Sequence, residues 1–253
     1  MTPRIIRDNS TFFDCYEELS PGDIVLGRIR LYPGEEQLFL DLMARKILMI
    51  PSALAQLCSR SKVFQSRVLV KYMVPGTRAV YSMNDMIQVV TDFGRDKIDK
   101  VVCKLDRANA GMGILQFSSI EDVYSQAALG TLSFPFVVQP FYAESKDVRV
   151  VVLGDYMEAY RRHNPNNFRH NLHCGGMSAT CELNDEQIKL GREIMDRAQF
   201  PYAHIDLLIA PSGATWLNEI NLRGGLRGAK ISQQDYVRAV ETIHDDLLGK
   251  YTG

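Results

Sequence analysis

The chain has 253 residues, a formal net charge of −1, and 46% hydrophobic and 23% charged residues. That length can build two or three compact lobes, the composition is ordinary for a soluble protein, and the balanced charge gives no basis for a nucleic-acid or acidic-membrane partner. Five scattered cysteines without a CxxC pair argue against a disulfide framework or a structural zinc, and for a reducing, cytoplasmic setting. No run reaches the roughly 18 apolar residues of a membrane span, and the first residues carry no apolar signal region.

In chain order, the first ~20 residues read as polar and irregular. A strand is predicted over Asp23 to Leu31, then a helix opened by Pro33-Gly34-Glu35-Glu36 and a short strand, Ile47 to Ile50. A helix from Ser52 to Val70 follows, with Leu54, Leu57 and Val63 at helical spacing. Residues 1–75 thus form a small βαβα-like unit. The texture then changes. A helix is expected over Met83 to Phe93 behind a Ser82 cap, a strand over Val101 to Leu105, a glycine loop at Asn109 to Gly113, and a strand over Ile114 to Phe117. A helix at 120–129 and a strand from Phe134 to Gln139 come next. Asp147 to Leu153 and Tyr156 to Arg162 form a hairpin around Gly154-Asp155. A polar loop (163–178), a helix from Asn184 to Gln199, a second hairpin (204–221) and a helix from Ser232 to Leu248 complete the chain. Hairpins separated by helices indicate an α+β fold with mainly antiparallel sheets.

The second hairpin carries the sharpest chemical signal. With Ser212-Gly213 as a two-residue loop, Asp206 stands directly opposite Glu219, and Asn221 shares the Glu219 face. Facing like charges are destabilising unless a cation lies between them. Two carboxylates and an amide suit a hard ion such as Mg²⁺, and the competing account is a solvated acidic hairpin. In the first hairpin Asp147 pairs with Arg162 and Arg149 with Tyr160, so all four share one polar face while Val148, Val150 and Val152 take the core face. A routine cross-strand salt bridge is the alternative there.

Lys104, embedded in Val101 to Leu105 just before the glycine loop, has the makings of a phosphate cradle; a strand-edge lysine before an ordinary turn reads the same. In the loop Asn167 to Gly176, Arg169 offers a planar fork for carboxylate or phosphate. His170, His173 and Cys174 lack a fourth partner at zinc spacing.

Taken in order, these pieces resemble the ATP-grasp superfamily, in its glutathione synthetase and ribosomal-protein glutamate ligase (RimK-like) branch. The match runs through Lys104 with its glycine loop, Val137-Val138-Gln139, Asp147-Val148-Arg149, Arg161-Arg162, Phe168 to His173 with Gly175-Gly176, Asp206, and Glu219-Ile220-Asn221. It covers about residues 55 to 250. The resemblance implies an ATP-grasp fold, residues 76–253, whose two α+β lobes (76–140 and 141–253) clasp ATP behind a reduced N-terminal lobe, residues 1–75. Lys62, Lys104, Gly111, Gly113, Gln139, Phe141, Asp147 and Leu217 would then contact the nucleotide. Asp206, Glu219 and Asn221 would hold one or two Mg²⁺ ions, with Mn²⁺ an alternative. Arg149, Arg162, Arg169 and Asn171 would serve the chemistry. The activity implied is ATP-dependent joining of a carboxylate to an amine through an acyl phosphate, the acceptor being a small molecule or a protein tail. The alternatives are a kinase acting on a small-molecule hydroxyl and a non-catalytic nucleotide-binding regulator; a homo-oligomer stays open.

The chain departs from that pattern in places. The branch usually has an acidic hinge residue where this sequence has Pro140, and the loop from the hinge to Asp147 is two residues short. After Glu-x-Asn comes Leu222-Arg223-Gly224-Gly225-Leu226-Arg227-Gly228 in place of a Ser-Pro-Gly type turn. Arg223 could anchor a substrate carboxylate bidentately; the alternative is a flexible basic loop.

Overall fold

A computed structural model describes residues 3–108, 111–170 and 172–252. Three sheets organise the chain. The first is small and parallel, with strand order β1-β2-β3, from β1 (Ile5–Ile6), β2 (Ile24–Leu26) and β3 (Leu48–Ile50). Helix α1 (Asn9–Asp14) lies within the stretch read as irregular; the Asp8 carboxylate caps it by accepting from the Thr11 N–H. The strand expected over Asp23 to Leu31 stops at Leu26 because Gly27 takes a positive φ of 117°. Helix α2 (Leu38–Ala44) starts later than Pro33. Glu35 and Glu36 instead bond back to the Tyr32 and Gly34 N–H groups and hold a turn.

The single helix expected over Ser52 to Val70 is two helices, α3 (Ala53–Arg60) and α4 (Lys62–Val68). Ser61 adopts an extended backbone and caps α4 through its hydroxyl oxygen, which accepts from Phe64 N–H. The break makes Lys62 the first residue of α4. Its side chain is then free to enter the cleft described below.

The second sheet has strand order β4-β7-β5-β6 and is antiparallel throughout. It comprises β4 (Arg78–Val80), β5 (Val101–Leu105), β6 (Ile114–Phe117) and β7 (Phe136–Pro140), with α5 (Met83–Arg95) and α6 (Ile120–Ala128). Met86, Val89 and Phe93 of α5 and Val123 of α6 are buried against Val101, Cys103, Phe136 and Val138. Ser82 caps α5 as the sequence indicates.

The third sheet is five-stranded and antiparallel, with strand order β10-β9-β8-β11-β12. It contains β8 (Lys146–Leu153), β9 (Tyr156–His163), β10 (Met177–Cys181), β11 (Tyr202–Ile209) and β12 (Thr215–Asn221), with helices α7 (Asp185–Ala198) and α8 (Gln233–Thr252). Strand β10 lies partly in the stretch read as a loop, since four of its five residues are exposed and no apolar alternation marks it. The β8–β9 register pairs Asp147 with Arg162 and Arg149 with Tyr160, as expected.

The second hairpin reaches its expected pairing by a different route. Ala210 and Ala214 close a three-residue loop, and an extra residue, Asn218, is inserted between Leu217 and Glu219. The longer loop and the bulge cancel, so Asp206 still faces Glu219.

Strand β12 is a sheet edge, and its free side is covered by side chains from α3 and α4. The Gln65 amide accepts from Ile220 N–H (3.1 Å) and donates to Ile220 C=O (2.8 Å), imitating a missing strand. Ser59 Oγ accepts from Leu222 N–H at 2.9 Å. Among the described residues no helix is long and apolar enough to cross a membrane. Replacing buried Gln65 by Ala strands both Ile220 backbone groups. At about 1–3 kcal/mol for each unsatisfied group, urea denaturation should show Gln65→Ala destabilised by about 2–6 kcal/mol.

Candidate active site

A cleft of about 890 Å³ lies between the second and third sheets, with the first-sheet lobe at one end. Its floor is one face of the third sheet. Pairing runs from Tyr160 to Arg149 to Asp206 to Glu219, which sets these side chains in a row across four strands. Arg149 grips Asp206 with two bonds, Nε to Oδ1 at 2.7 Å and Nη2 to Oδ2 at 2.8 Å. Arg162 bridges the two acids, Nε to Asp147 Oδ1 at 2.6 Å and Nη2 to Asp206 Oδ2 at 2.9 Å. Asp147, Tyr160, Arg162 and Asp206 are at most 8% exposed, so the expected polar face is a buried ion network rather than a solvated salt bridge.

The two buried acids behave differently. Burial raises both carboxyls, but Arg149 and Arg162 together hold Asp206 far below the usual carboxylate range. Asp147 has chiefly Arg162, burial prevails, and its carboxyl is pushed up. Asp147 is therefore the acid that protonates first.

Two lysines face this floor. Lys62 donates to the Ala108 carbonyl at 2.6 Å and lies 3.3 Å from Glu219 Oε1. Lys104 donates to Asn218, to its carbonyl at 2.9 Å and its side-chain oxygen at 2.6 Å. The bulge thus supplies both acceptors and ties the second sheet to the third. Burial lowers the Lys104 ammonium to about 8, opposed by Glu219.

Most of the other sequence-derived candidates gather here. Gly111, Gln139, Phe141, Arg169, Asn221 and Arg223 line the cleft. Gln139 is buried, and its Oε1 has no donor among the described residues. The Phe141 ring meets Phe168 edge-on at 6.1 Å, and the Arg169 guanidinium lies over Phe168 at 4.3 Å while donating to the Ile114 carbonyl. Gly113 is packed beneath the loop, where an added Cβ would sit 2.2 Å from Ala108 Cβ. Leu217 is fully buried in the hydrophobic core and does not line the cleft. Alternation from Glu219 would have put it on the cleft face, but the Asn218 bulge turns it over, and it pairs with Leu207. Asn171 lies outside the described residues, as do Asn109 and Ala110 of the glycine loop.

Sequence reasoning missed a group of arginines. Arg28, Arg30, Arg60 and Arg107 also line the cleft. The available signal was the alternation of Arg28 and Arg30 about Ile29, which is 2% exposed.

The donor set for a cation is Asp206, Glu219 and Asn221. A carboxylate has about four acceptor positions; Asp206 commits three to the arginines and Glu219 has one ion pair. The Asn221 amide makes no side-chain hydrogen bond among the described residues. No group of three or more His, Cys, Asp or Glu side chains that could hold a metal occurs among them. Two carboxylates and an amide fit Mg²⁺ held jointly with phosphate oxygens, not a closed protein cage.

Two α+β lobes around a cleft of lysines, glycine loop and paired acids define an ATP-grasp protein. Residues 59–241 match the RimK-like ATP-grasp domain, and the chain belongs to that family. A Klebsiella pneumoniae protein named "Probable alpha-L-glutamate ligase" is 28% identical over 162 residues, 62% of this chain and 53% of that protein. The Shigella boydii "Ribosomal protein bS6--L-glutamate ligase" is 25% identical over 177 residues, 67% of this chain and 58% of its own. The chain spans about half the length of the curated relatives it matches. Among solved structures, a Chryseobacterium gregarium RiPP-associated ATP-grasp ligase, in complex with ADP and a leader and core peptide, superposes with TM-score 0.59. It is 17% identical and covers 85% of this chain and 67% of its own.

Removing Asp206 would leave two buried guanidiniums short of a partner. Asp206→Ala should cost about 3–5 kcal/mol in urea denaturation at pH 7, whereas Glu219→Ala, at a partly open site, should cost less than about 1 kcal/mol. The depressed Asp206 carboxyl contributes stability above its unfolded pKa of about 3.9, and this fades as pH falls below that value. The gap between wild type and Asp206→Ala should therefore narrow below about pH 4.

Proposed function

We propose that the protein is an ATP- and Mg²⁺-dependent carboxylate–amine ligase. The observation that carries this reading is Asp206 facing Glu219 on a floor flanked by Lys62, Lys104, Arg149 and Arg162. We read residues 76–253 as the ATP-grasp unit and residues 1–75 as a reduced N-terminal lobe. The N-terminal unit nevertheless supplies Lys62. The free cysteines Cys15, Cys58, Cys103 and Cys181 fit a cytoplasmic setting.

In this reading the adenine lies beside Gln139 and Phe141. Gln139 Oε1, which has no donor among the described residues, accepts from the exocyclic amine. Lys62 and Lys104 hold the phosphates, with Gly111 letting the backbone approach. Asp206, Glu219 and Asn221 hold Mg²⁺, or Mn²⁺, which neutralises phosphate charge when bound. The substrate carboxylate attacks the γ-phosphorus and ADP leaves, giving an acyl phosphate. An amine then attacks the acyl carbon, and the tetrahedral adduct expels inorganic phosphate as the nitrogen loses its proton.

No protein nucleophile is needed, because positioning and charge stabilisation dominate such chemistry. Arg149 and Arg162 each use two of five N–H donors on the buried acids, and both guanidiniums line the cleft where negative charge would develop. Arg169 and Asn171 complete the set that meets the acyl phosphate. The glutamate ligases among its relatives, and a peptide-bound ligase of the same fold, support an amine acceptor that is either a small molecule or a protein tail.

The test is ADP release from Mg-ATP with acids and amines supplied separately and together. A ligase requires both. Release with a hydroxyl compound alone would make the protein a kinase, and ATP binding without release across acids, amines and peptide tails would favour a regulatory role. Glu219→Ala should reduce turnover to below about one-hundredth while leaving the fold intact; retained turnover would refute the metal assignment.

A further inference from the structure

Eleven Lys and Arg side chains line the cleft against three carboxylates, in a chain whose formal net charge is −1. The catalytic floor accounts for only part of this excess. Arg149 and Arg162 are paired with Asp206 and Asp147, and Lys62 with Glu219. Arg60 and Arg107 share Glu36. Arg28, Arg30 and Arg223 have no ion pair among the described residues.

These three side chains come from two rigidly held segments. After Gly27 the chain runs past α3, where Gln56 Oε1 accepts from Ile29 N–H at 2.8 Å. Arg60 donates to the Leu31 carbonyl at 3.0 Å and also to that of Ile29. Ile29 is buried, so Arg28 and Arg30 flank it on the cleft side. The second segment is the glycine-rich turn after β12. Leu222 N–H bonds Ser59 Oγ, and the Leu222 carbonyl accepts from the Tyr236 hydroxyl at 3.4 Å. A Cβ on Gly224 would lie 2.6 Å from His204 Nδ1, and one on Gly228 2.6 Å from Ser178 Oγ. The turn is therefore packed against β11 at Gly224 and against β10 at Gly228. Arg223 is two residues beyond Asn221, so their Cα atoms are at most about 7 Å apart.

We propose that Arg28, Arg30 and Arg223 form an anion site at the N-terminal end of the cleft, which takes a second carboxylate or a phosphate group of the acid substrate. The substrate is then a di- or polyanionic acid, one carboxylate reacting near Asn221 and the other anion held by the three guanidiniums. This rests on the ligase reading. Three unpaired guanidiniums repel one another, and partial desolvation at the cleft wall, together with the Arg223 and Arg30 charges, holds the otherwise exposed Arg28 guanidinium below its ordinary pKa. A bound dianion relieves that repulsion, and guanidiniums match carboxylate and phosphate geometry in planar, paired bonds.

The intact protein, loaded with Mg-AMPPNP, would be titrated calorimetrically with propionate, tricarballylate and 3-phosphoglycerate. The polyanions should bind at least about 10-fold more tightly than propionate, and Arg28→Ala or Arg223→Ala should each weaken them about 10-fold or more. AMPPNP affinity should stay within about twofold, and thermal melts would confirm folding. Which polyanion binds more tightly separates the phosphate source from the carboxylate source. Equal binding of propionate, or polyanion binding unchanged in the double variant, would overturn the site. Polyanion binding lost in the variants, with no acid–amine pair releasing ADP, would uphold the site and refute the ligase. ADP release with propionate and an amine, undiminished in the variants, would do the reverse.

Discussion

The cleft depends on one buried interaction, the carboxylate of Asp206 held between Arg149 and Arg162. Desolvating an ion is costly, and its attraction to a partner repays the cost only with good geometry and further hydrogen bonds. The third sheet provides that geometry through strand register. Arg149 is the direct neighbour of Asp206 on β8, and Arg162 reaches it from β9 while also holding Asp147. The pairs fix two guanidinium planes against a sheet, so their remaining N–H groups keep a fixed orientation without ligand. Such preorganised donors cost nothing to arrange when charge develops.

The second constraint is the Asn218 bulge, which solves two problems at once. It keeps Asp206 opposite Glu219 despite the longer hairpin loop, and it offers Lys104 both a backbone and a side-chain oxygen. Lys104 belongs to the second sheet, so one ammonium joins the two walls of the cleft. Burial with neutral acceptors leaves that ammonium less well satisfied than in water, as its lowered pKa of about 8 shows. Phosphate oxygens would supply the missing charge.

What the sequence disclosed follows from the range of the forces involved. The β8–β9 hairpin was legible because period-two alternation and a Gly-Asp turn fix register locally; Gly154 adopts the positive φ that the turn requires. The Asp206–Glu219 pairing was read correctly through two errors that cancel, while Leu217, between loop and bulge, received neither compensation and lies in the core. A strand of two residues, Ile5–Ile6, carries too little periodicity to be read, since its pairing is set by distant parts of the chain, whereas the strand read over Asp23 to Leu31 exists but is only Ile24–Leu26. The helix break at Ser61 was missed because Ser-Lys-Val suits a helix interior nearly as well as a cap. Tertiary support decides: the Ser61 hydroxyl donates to Asp106 at 2.8 Å.

That break also gives the N-terminal residues a direct part in the cleft. Helices α3 and α4 cover the exposed edge of β12 with Ser59 and Gln65, carry Lys62 into the cleft, and brace the Arg28–Arg30 segment through Gln56 and Arg60. One pair of short helices therefore sets the position of both ends of the cleft. Because the chain as a whole is nearly neutral while the cleft is strongly basic, the remaining surface is net acidic. Charge segregated this way focuses the field into the concave region and draws anions there, an effect that weakens with salt for the exposed Arg28, Arg30 and Arg223 more than for the buried floor. The exposed cations govern capture and the buried ones govern orientation, so the two ends of the cleft respond to different physical variables.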